Sequence, residues 1–233
     1  MRAGIIINPN AGRQRGLSPE SRARLAENAL RECDVEGSVA FTQEVGSAGS
    51  LARGMIKQGV TTLVAWGGDG TVNEVASATA RAGLNFGIVP GGSGNGLARE
   101  LGIERRPADA LRTALRGTKK LIDMGEISGR MFTNVAGVGF DAHLAGVFNK
   151  LARRGRAAYI RSGFRELLAY DPVEYTLEAG NVTVRRRAFV VAVANGRQYG
   201  GGAVIAPSAK LDDGRLEVVV LPLRSLGAAL WQA

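Results

Sequence analysis

Cysteine and histidine are almost missing from this chain: Cys33 and His143 are single occurrences in 233 residues. One cysteine forbids an internal disulfide and suits a reducing compartment. One residue of each kind excludes the usual zinc clusters and argues against a Cys/His nucleophilic dyad. Both therefore read as structural residues. No run of 18 apolar residues occurs, so no membrane-spanning segment is expected. The opening MRAGIIINPN lacks the apolar core and small-residue cleavage site of a secretory signal. The expectation is a cytoplasmic protein. No G-x-x-x-x-G-K-[ST] is present, and no G-x-G-x-x-G follows the first apolar run. The first absence excludes a Walker A loop, and the second weakens a Rossmann dinucleotide reading.

Glycine and positive charge are plentiful. Thirty-three glycines are about twice the usual share of ~7%, and they cluster in short loops, which predicts tight turns with exposed backbone. The formal net charge of +9 attracts phosphates, nucleic acid or anionic lipid without choosing among them. No aromatic-and-basic module of a nucleic-acid-binding type is present, so nucleic acid is not an expected partner.

Strand-like and helix-like segments alternate in the first half. Apolar runs at Gly4–Ile7, Ser38–Thr42, Thr62–Trp66 and Phe86–Val89 read as strands. Between them, helices are expected over Ser18–Arg31, with Ser18 as N-cap and Pro19 in the first turn, and over Gly46–Gln58. Thr71 and Glu74 fit a capping box, which predicts a helix from Thr71 to about Ala82. Further helices are expected from about Leu97 and over Pro107–Leu115. This order implies a mostly parallel sheet covered by helices on both faces. After Lys120 the pattern changes. Leu121–Ile127, Met131–Gly137, Val173–Glu178, Val182–Arg186, Phe189–Ala194 and Leu216–Leu221 read as strands of a mainly antiparallel domain, interrupted by a helical insert over Ala142–Leu168. The expected division is an α/β domain over residues 1–115 and a β-rich domain over 116–233. A helix beginning near Ser225 is cut short at LWQA, which predicts that the natural domain extends beyond residue 233.

Three loops fall at the carboxyl ends of expected parallel strands, where open α/β sheets bind ligands: Asn8–Gly12, Gly67–Asn73 and Pro90–Gly96. Such loops present backbone N–H groups to phosphate oxygens. Gly67 and Gly68 permit a backbone approach that a β-carbon would block. Thr71 and Ser93 offer hydroxyls, and Arg13 and Arg15 offer charge for outer phosphates. Asp69 does not fit simple anion binding. A carboxylate among phosphates needs a cation between, or a proton to handle, and both point to phosphoryl transfer. Each loop alone could be a plain turn before a helix; three at one sheet edge, one carrying a carboxylate, favour a site.

GGDGTVNEV, preceded by IIINPNAG and followed by PGGSGNGLARELGI, resembles the diacylglycerol kinase catalytic-domain family, which includes bacterial soluble lipid kinases and sphingosine and ceramide kinases. LIDMGEI, NVAGVGFDA and LDDGRLEVVVL resemble that family's second-domain motifs in the same order. GGDG alone is shared with NAD kinases and 6-phosphofructokinases. The resemblance implies an NAD kinase/phosphofructokinase-like α/β domain, an antiparallel β-sandwich domain and ATP between them. It implies an ATP-dependent kinase with Mg²⁺, acting on a lipid hydroxyl of diacylglycerol or sphingoid type. On the matching positions, Asn8, Pro9, Asn10, Ala11, Gly12, Arg13 and Thr42 form the nucleotide site. They are joined by Gly67, Gly68, Asp69, Gly70, Thr71, Val72, Asn73 and Ser93. Asp69 would activate the lipid hydroxyl, and Asp123 would reach the catalytic Mg²⁺ through water. Asp213, with the carbonyls of Lys210 and Arg215, would hold a structural Mg²⁺, although DDG also fits a hairpin turn. Family members carry a further glutamate near the C-terminus, and this chain ends before it.

The implied partner is a lipid at a membrane surface. Transient contact there would use basic surface such as Lys150–Arg165, although a solvated helix face packed on the domain is the favoured reading of that stretch. A homodimer is compatible with these expectations. Two alternatives stay open. An NAD kinase-like phosphotransferase shares GGDGT, and a non-catalytic nucleotide-binding module would use the same loops without a base.

Overall fold

The computed structural model describes residues 1–12, 16–139, 172–200 and 202–222. The chain forms two compact units. The first joins Met1–Asn134 to Asn195–Arg215, and the second joins Val135–Ala194 to Leu216–Ala233. The expected helical insert at 142–168, the basic stretch at 150–165, His143 and the helix near Ser225 lie outside the described residues.

The first unit is built on a parallel sheet. Strands β1 (Arg2–Ile7), β2 (Glu36–Phe41), β3 (Thr62–Gly67) and β4 (Asn85–Pro90) pair in the order β2-β1-β3-β4. Their side chains alternate between two faces, as strand geometry requires. Ile6, Leu63 and Ala65 join Ala52 and Met55 of α2 (Ser47–Lys57) and Val72 and Val75 of α3 (Asp69–Arg81) in one core. Ile5, Ile7, Val64 and Trp66 join Ala26 and Leu30 of α1 (Pro19–Glu32) and Ala110 and Leu111 of α5 (Pro107–Arg116) in the other. The short helix α4 (Gly96–Glu100) buries Leu97 and Ala98 against the α2/α3 core.

This topology fixes where a ligand can bind. β1 and β3 are neighbours, yet α1 and α3, which follow them, lie on opposite faces of the sheet. The chain leaving these two strands passes to opposite faces of the sheet, the switch point at which such sheets take ligands.

α1 starts as its sequence dictates. Ser18 is extended and its hydroxyl accepts from the Ser21 N–H at 3.2 Å, with Pro19 in the first turn. α3 does not. It begins at Asp69, two residues before the expected start, with Gly68 as N-cap and no side-chain cap. The Thr71–Glu74 capping box is not formed, because Glu74 Oε2 accepts from the Gly49 N–H of α2 at 3.2 Å. A tertiary bond between neighbouring helices has displaced the local one.

Later elements differ more from the sequence pattern. Only Gly125–Ile127 (β5) of the expected strand Leu121–Ile127 is a strand, paired with β6 (Arg130–Phe132). The segment before it bonds the 211–214 region instead, through Asp123 N–H to Leu211 O at 2.6 Å. The run Met131–Gly137 is two strands, β6 and β7 (Val135–Gly139), broken at Thr133–Asn134.

The second unit is antiparallel. β8 (Val173–Ala179) pairs with β9 (Val182–Ala188) as a hairpin that carries Arg185–Arg187. β10 (Val190–Ala194) lies between β7 and β13 (Glu217–Leu221). Two short strands of the first unit, β11 (Gln198–Gly200) and β12 (Ala203–Val204), had no counterpart among the expected elements. Among the described residues, no helix is long and apolar enough to cross a membrane.

Candidate active site

The three glycine-rich loops meet at the sheet edge. Asn8, just past β1, donates from Nδ2 to Thr71 Oγ1 at 3.1 Å, while its Oδ1 accepts from the Asn10 N–H at 2.9 Å. Loop 8–12 is thereby tied to the first turn of α3. Gly12 closes it in the left-handed region, with φ of 65°. Thr42 is buried at the end of β2, and its N–H bonds Ile7 O at 2.9 Å. Arg13 and Arg15 lie outside the described residues.

The loops after β3 and β4 touch through bare backbone. A β-carbon on Gly92 would stand 2.7 Å from Gly68 Cα, and one on Gly67 would stand 2.6 Å from Thr71 Cβ. Asn95 holds this arrangement from the left-handed conformation, with φ of 50°. Its side chain accepts from the Gly92 N–H at 2.8 Å and donates to the Gly92 carbonyl at 2.7 Å.

Asp69 is the hub. Its Oδ2 accepts from the Asn95 N–H at 2.9 Å and its Oδ1 from the Gly96 N–H at 2.6 Å. The carboxylate thus fixes loop 90–96 instead of capping its own helix. The first-turn N–H groups of α3 have no intrahelical acceptor by the geometry of a helix start, and no side chain caps them. Donors of this kind, at the positive end of a 13-residue helix, suit phosphate oxygens. Ser93 is exposed beside them. Each Asp69 oxygen keeps a second lone pair that can accept a further hydrogen bond.

Two residues of the expected nucleotide set point elsewhere. Val72 is buried in the α2/α3 core. Asn73 donates to Met131 O at 3.1 Å and accepts from the Thr133 N–H at 3.0 Å, clamping the β5–β6 hairpin to α3.

The second acidic group forms around a turn. Asp123 Oδ2 accepts from the Gly214 N–H at 2.7 Å, which sets it beside Asp213. Asp213 Oδ1 accepts from the Arg215 N–H at 3.1 Å, and Gly214 has φ of 70°. Asp212 is engaged by Lys120 at 3.0 Å. Of the two aspartates in DDG, Asp213 is therefore the one without a cationic partner among the described residues. Lys210 is exposed at the start of the turn. No cluster of three or more His, Cys, Asp or Glu side chains occurs among the described residues. A cation at this turn would accordingly need backbone oxygens and water beside Asp123 and Asp213, a set that suits a hard ion.

Two asparagines connect the acidic groups, and sequence reasoning passed over both. Asn195 is fully buried and donates to Asp123 O at 2.7 Å and to Thr133 O at 2.8 Å. Its N–H bonds Asn134 O at 2.7 Å. Asn134 Nδ2 lies 2.5 Å from where a Gly96 β-carbon would be, beside the residue whose N–H binds Asp69. The available signal was position: Asn195 directly follows, and Asn134 directly precedes, an apolar strand, where an amide drawn inward needs partners.

Comparison with known proteins places this geometry. The diacylglycerol kinase catalytic domain matches residues 2–127, and the YegS C-terminal NAD kinase beta sandwich-like domain matches residues 134–230. The chain belongs to the diacylglycerol kinase catalytic-domain family. A Pseudomonas aeruginosa protein named "Probable lipid kinase YegS-like" is 37% identical over 215 residues, covering 91% of this chain and 70% of that protein. A protein of the same name from Klebsiella pneumoniae is 32% identical over 217 residues, covering 91% of this chain and 73% of its own length. A diacylglycerol kinase crystal structure from Bacillus anthracis superposes with a TM-score of 0.75 at 24% identity, covering 100% of this chain and 78% of that one. That last likeness supports the fold alone. This lipid kinase family combines a parallel α/β domain with an antiparallel β-sandwich domain, the fold class expected from the sequence.

Proposed function

We propose that this chain is the catalytic part of an ATP-dependent kinase that phosphorylates a lipid hydroxyl of diacylglycerol or sphingoid type. The observation that carries the reading is the uncapped amino end of α3, set against loop 90–96 by the Asp69 carboxylate. Membership of a lipid kinase family supports it.

In this reading the backbone at Gly68–Thr71 and loop 8–12 bind the phosphates, and Ser93 adds a hydroxyl. When bound, ATP supplies the phosphoryl group and Mg²⁺ offsets its charge. Asp69 orients the lipid alcohol and takes its proton through a lone pair left free by Asn95 and Gly96. The two carboxylates set beside each other at the 210–215 turn fit a hard cation. Asp123 and Asp213 would hold it with the carbonyls of Lys210 and Arg215, and there it would stiffen the segment that Asn195 links to the loops. Lipid reaches the site at a membrane surface, in keeping with the net charge of +9.

The test is transfer of label from [γ-³²P]ATP to a panel of diacylglycerol, sphingoid base, ceramide and NAD. Label in a lipid, absent in the Asp69→Asn variant, is expected. Label in NAD alone would replace the reading with an NAD kinase-like activity. Nucleotide binding with no label in any acceptor would leave a non-catalytic module.

The turn makes a separate prediction. Magnesium is expected to raise the melting temperature of the wild-type chain and to do so much less in Asp213→Ala, since a ligand bound only to the folded state stabilises it. Equal magnesium responses in calorimetry would remove Asp213 from cation binding.

A further inference from the structure

Arg22, on α1, is 3% exposed. Its Nη1 donates to the Asn8 carbonyl at 3.0 Å, and its guanidinium carbon stands 6.0 Å from the centroid of the Trp66 ring. No carboxylate pairs with it among the described residues. A guanidinium keeps its charge inside a protein and carries five N–H donors. One carbonyl and one ring face leave most of those donors unused. Burial pushes its pKa down from the ordinary value, the mark of a charge taken from water without a counter-charge. Buried charges are otherwise paired.

Arg22 lines a cavity of about 210 Å³. Arg105 also borders it and is exposed, with no ion pair among the described residues. Among the described residues no acidic side chain lines the cavity, and Gly12 and Gly91 border it. Trp66, which forms part of the floor, belongs to the α1/α5 core. The cavity thus borders the α1/α5 side; it shares Ala11, Gly12 and Gly91 with the glycine-rich loops, while none of residues 67–73 lines it.

We infer that this cavity is a second anion site, taking a phosphate-sized oxyanion between Arg22 and Arg105. Its two cations, missing acid and bare backbone match a phosphoryl group, and two guanidinium forks suit such a group better than a halide. Arg22 also holds the Asn8 carbonyl, so an anion there braces the loop that is tied to Thr71. The inference stands without the kinase reading.

Trp66 and Trp231 are the two tryptophans of the chain, so Trp66 emission in a Trp231→Phe background reports on the cavity. Titration with inorganic phosphate at fixed ionic strength is expected to give a saturable change. Arg105→Glu should weaken it by about tenfold or more, as loss of a charge-assisted contact does, and leave the melting temperature in chloride unchanged. Arg22→Gln should abolish it; if that variant does not fold, Arg105→Gln and Arg105→Glu still decide the matter. A saturating non-hydrolysable ATP analogue identifies the source. Phosphate that still binds is a free ion. Phosphate that is excluded, with the analogue itself weakened by Arg105→Glu, is a nucleotide phosphate. No saturable change, or equal affinity in wild type and Arg105→Glu, overturns the inference.

Discussion

Asp69→Asn is expected to lower the turnover number at saturating ATP by about 10²–10⁴-fold, the usual worth of a positioned base, while nucleotide affinity changes by less than about tenfold. The asymmetry follows from the loop contacts seen at this carboxylate and the base role proposed for it. It accepts N–H groups from Asn95 and Gly96, and its remaining lone pairs are open to an alcohol. The asparagine amide can still accept one N–H, but its NH₂ faces the other. One backbone donor then loses its partner, at about 1–3 kcal/mol if it stays dry. That loosens loop 90–96 and weakens binding modestly. Loss of the base acts on the chemical step alone. Steady-state kinetics with parallel binding titrations separate the two. A variant that binds ATP more weakly but turns over normally would leave Asp69 as a loop organiser only.

The second large effect is expected at Gly92. Alanine there would place its β-carbon 2.7 Å from Gly68 Cα, backbone against backbone, where no side chain can swing aside. The two loops must separate, and Asn95 must release Gly92 or follow it. Overpacking of this kind costs about 1–3 kcal/mol, which predicts a loss of roughly ten- to hundredfold in nucleotide affinity. Gly91→Ala is the comparison, because its β-carbon would meet Ala11 Cβ and Gly67 Cα only at 3.4 Å. Its loss is expected to be several times smaller. Equal affinities for the two variants in calorimetric titration would show that the contact between Gly68 and Gly92 does not shape the site.

Local chemistry made part of this architecture readable. Ser18 and Pro19 mark the start of α1 because the cap and the fixed φ act within one turn. β1 and β3 show their apolar runs because both sheet faces are covered, so every position from Ala3 to Ile7 and from Thr62 to Gly67 is buried. Gly67–Thr71 was legible as a glycine-rich turn between a strand and a helix, and the structure puts it at the carboxyl end of β3 and the start of α3.

The features that escaped are set by distant partners. Glu74 fits a capping box, yet it bonds Gly49, 25 residues away. Leu121–Ile127 has the alternation of a strand, yet Leu121 is 93% exposed and Asp123 donates its backbone N–H to the Leu211 carbonyl. The return of 195–215 to the first unit is what joins Asp123 to Gly214 and buries Asn195, and no spacing in the sequence announces it. Arg22 looks like an exposed helical arginine until the fold shows it buried against Trp66.

The claim on which the account turns is that main-chain N–H groups at the start of α3, with those of the facing loops, hold a triphosphate. Amide hydrogen exchange measured with and without a magnesium-bound, non-hydrolysable ATP analogue tests it directly. The expected result is slowed exchange at Gly68–Thr71, Gly12 and Ser93, with little change at Asn95 and Gly96, whose N–H groups Asp69 already holds. Binding of the analogue with unaltered exchange at Gly68–Thr71 would contradict it.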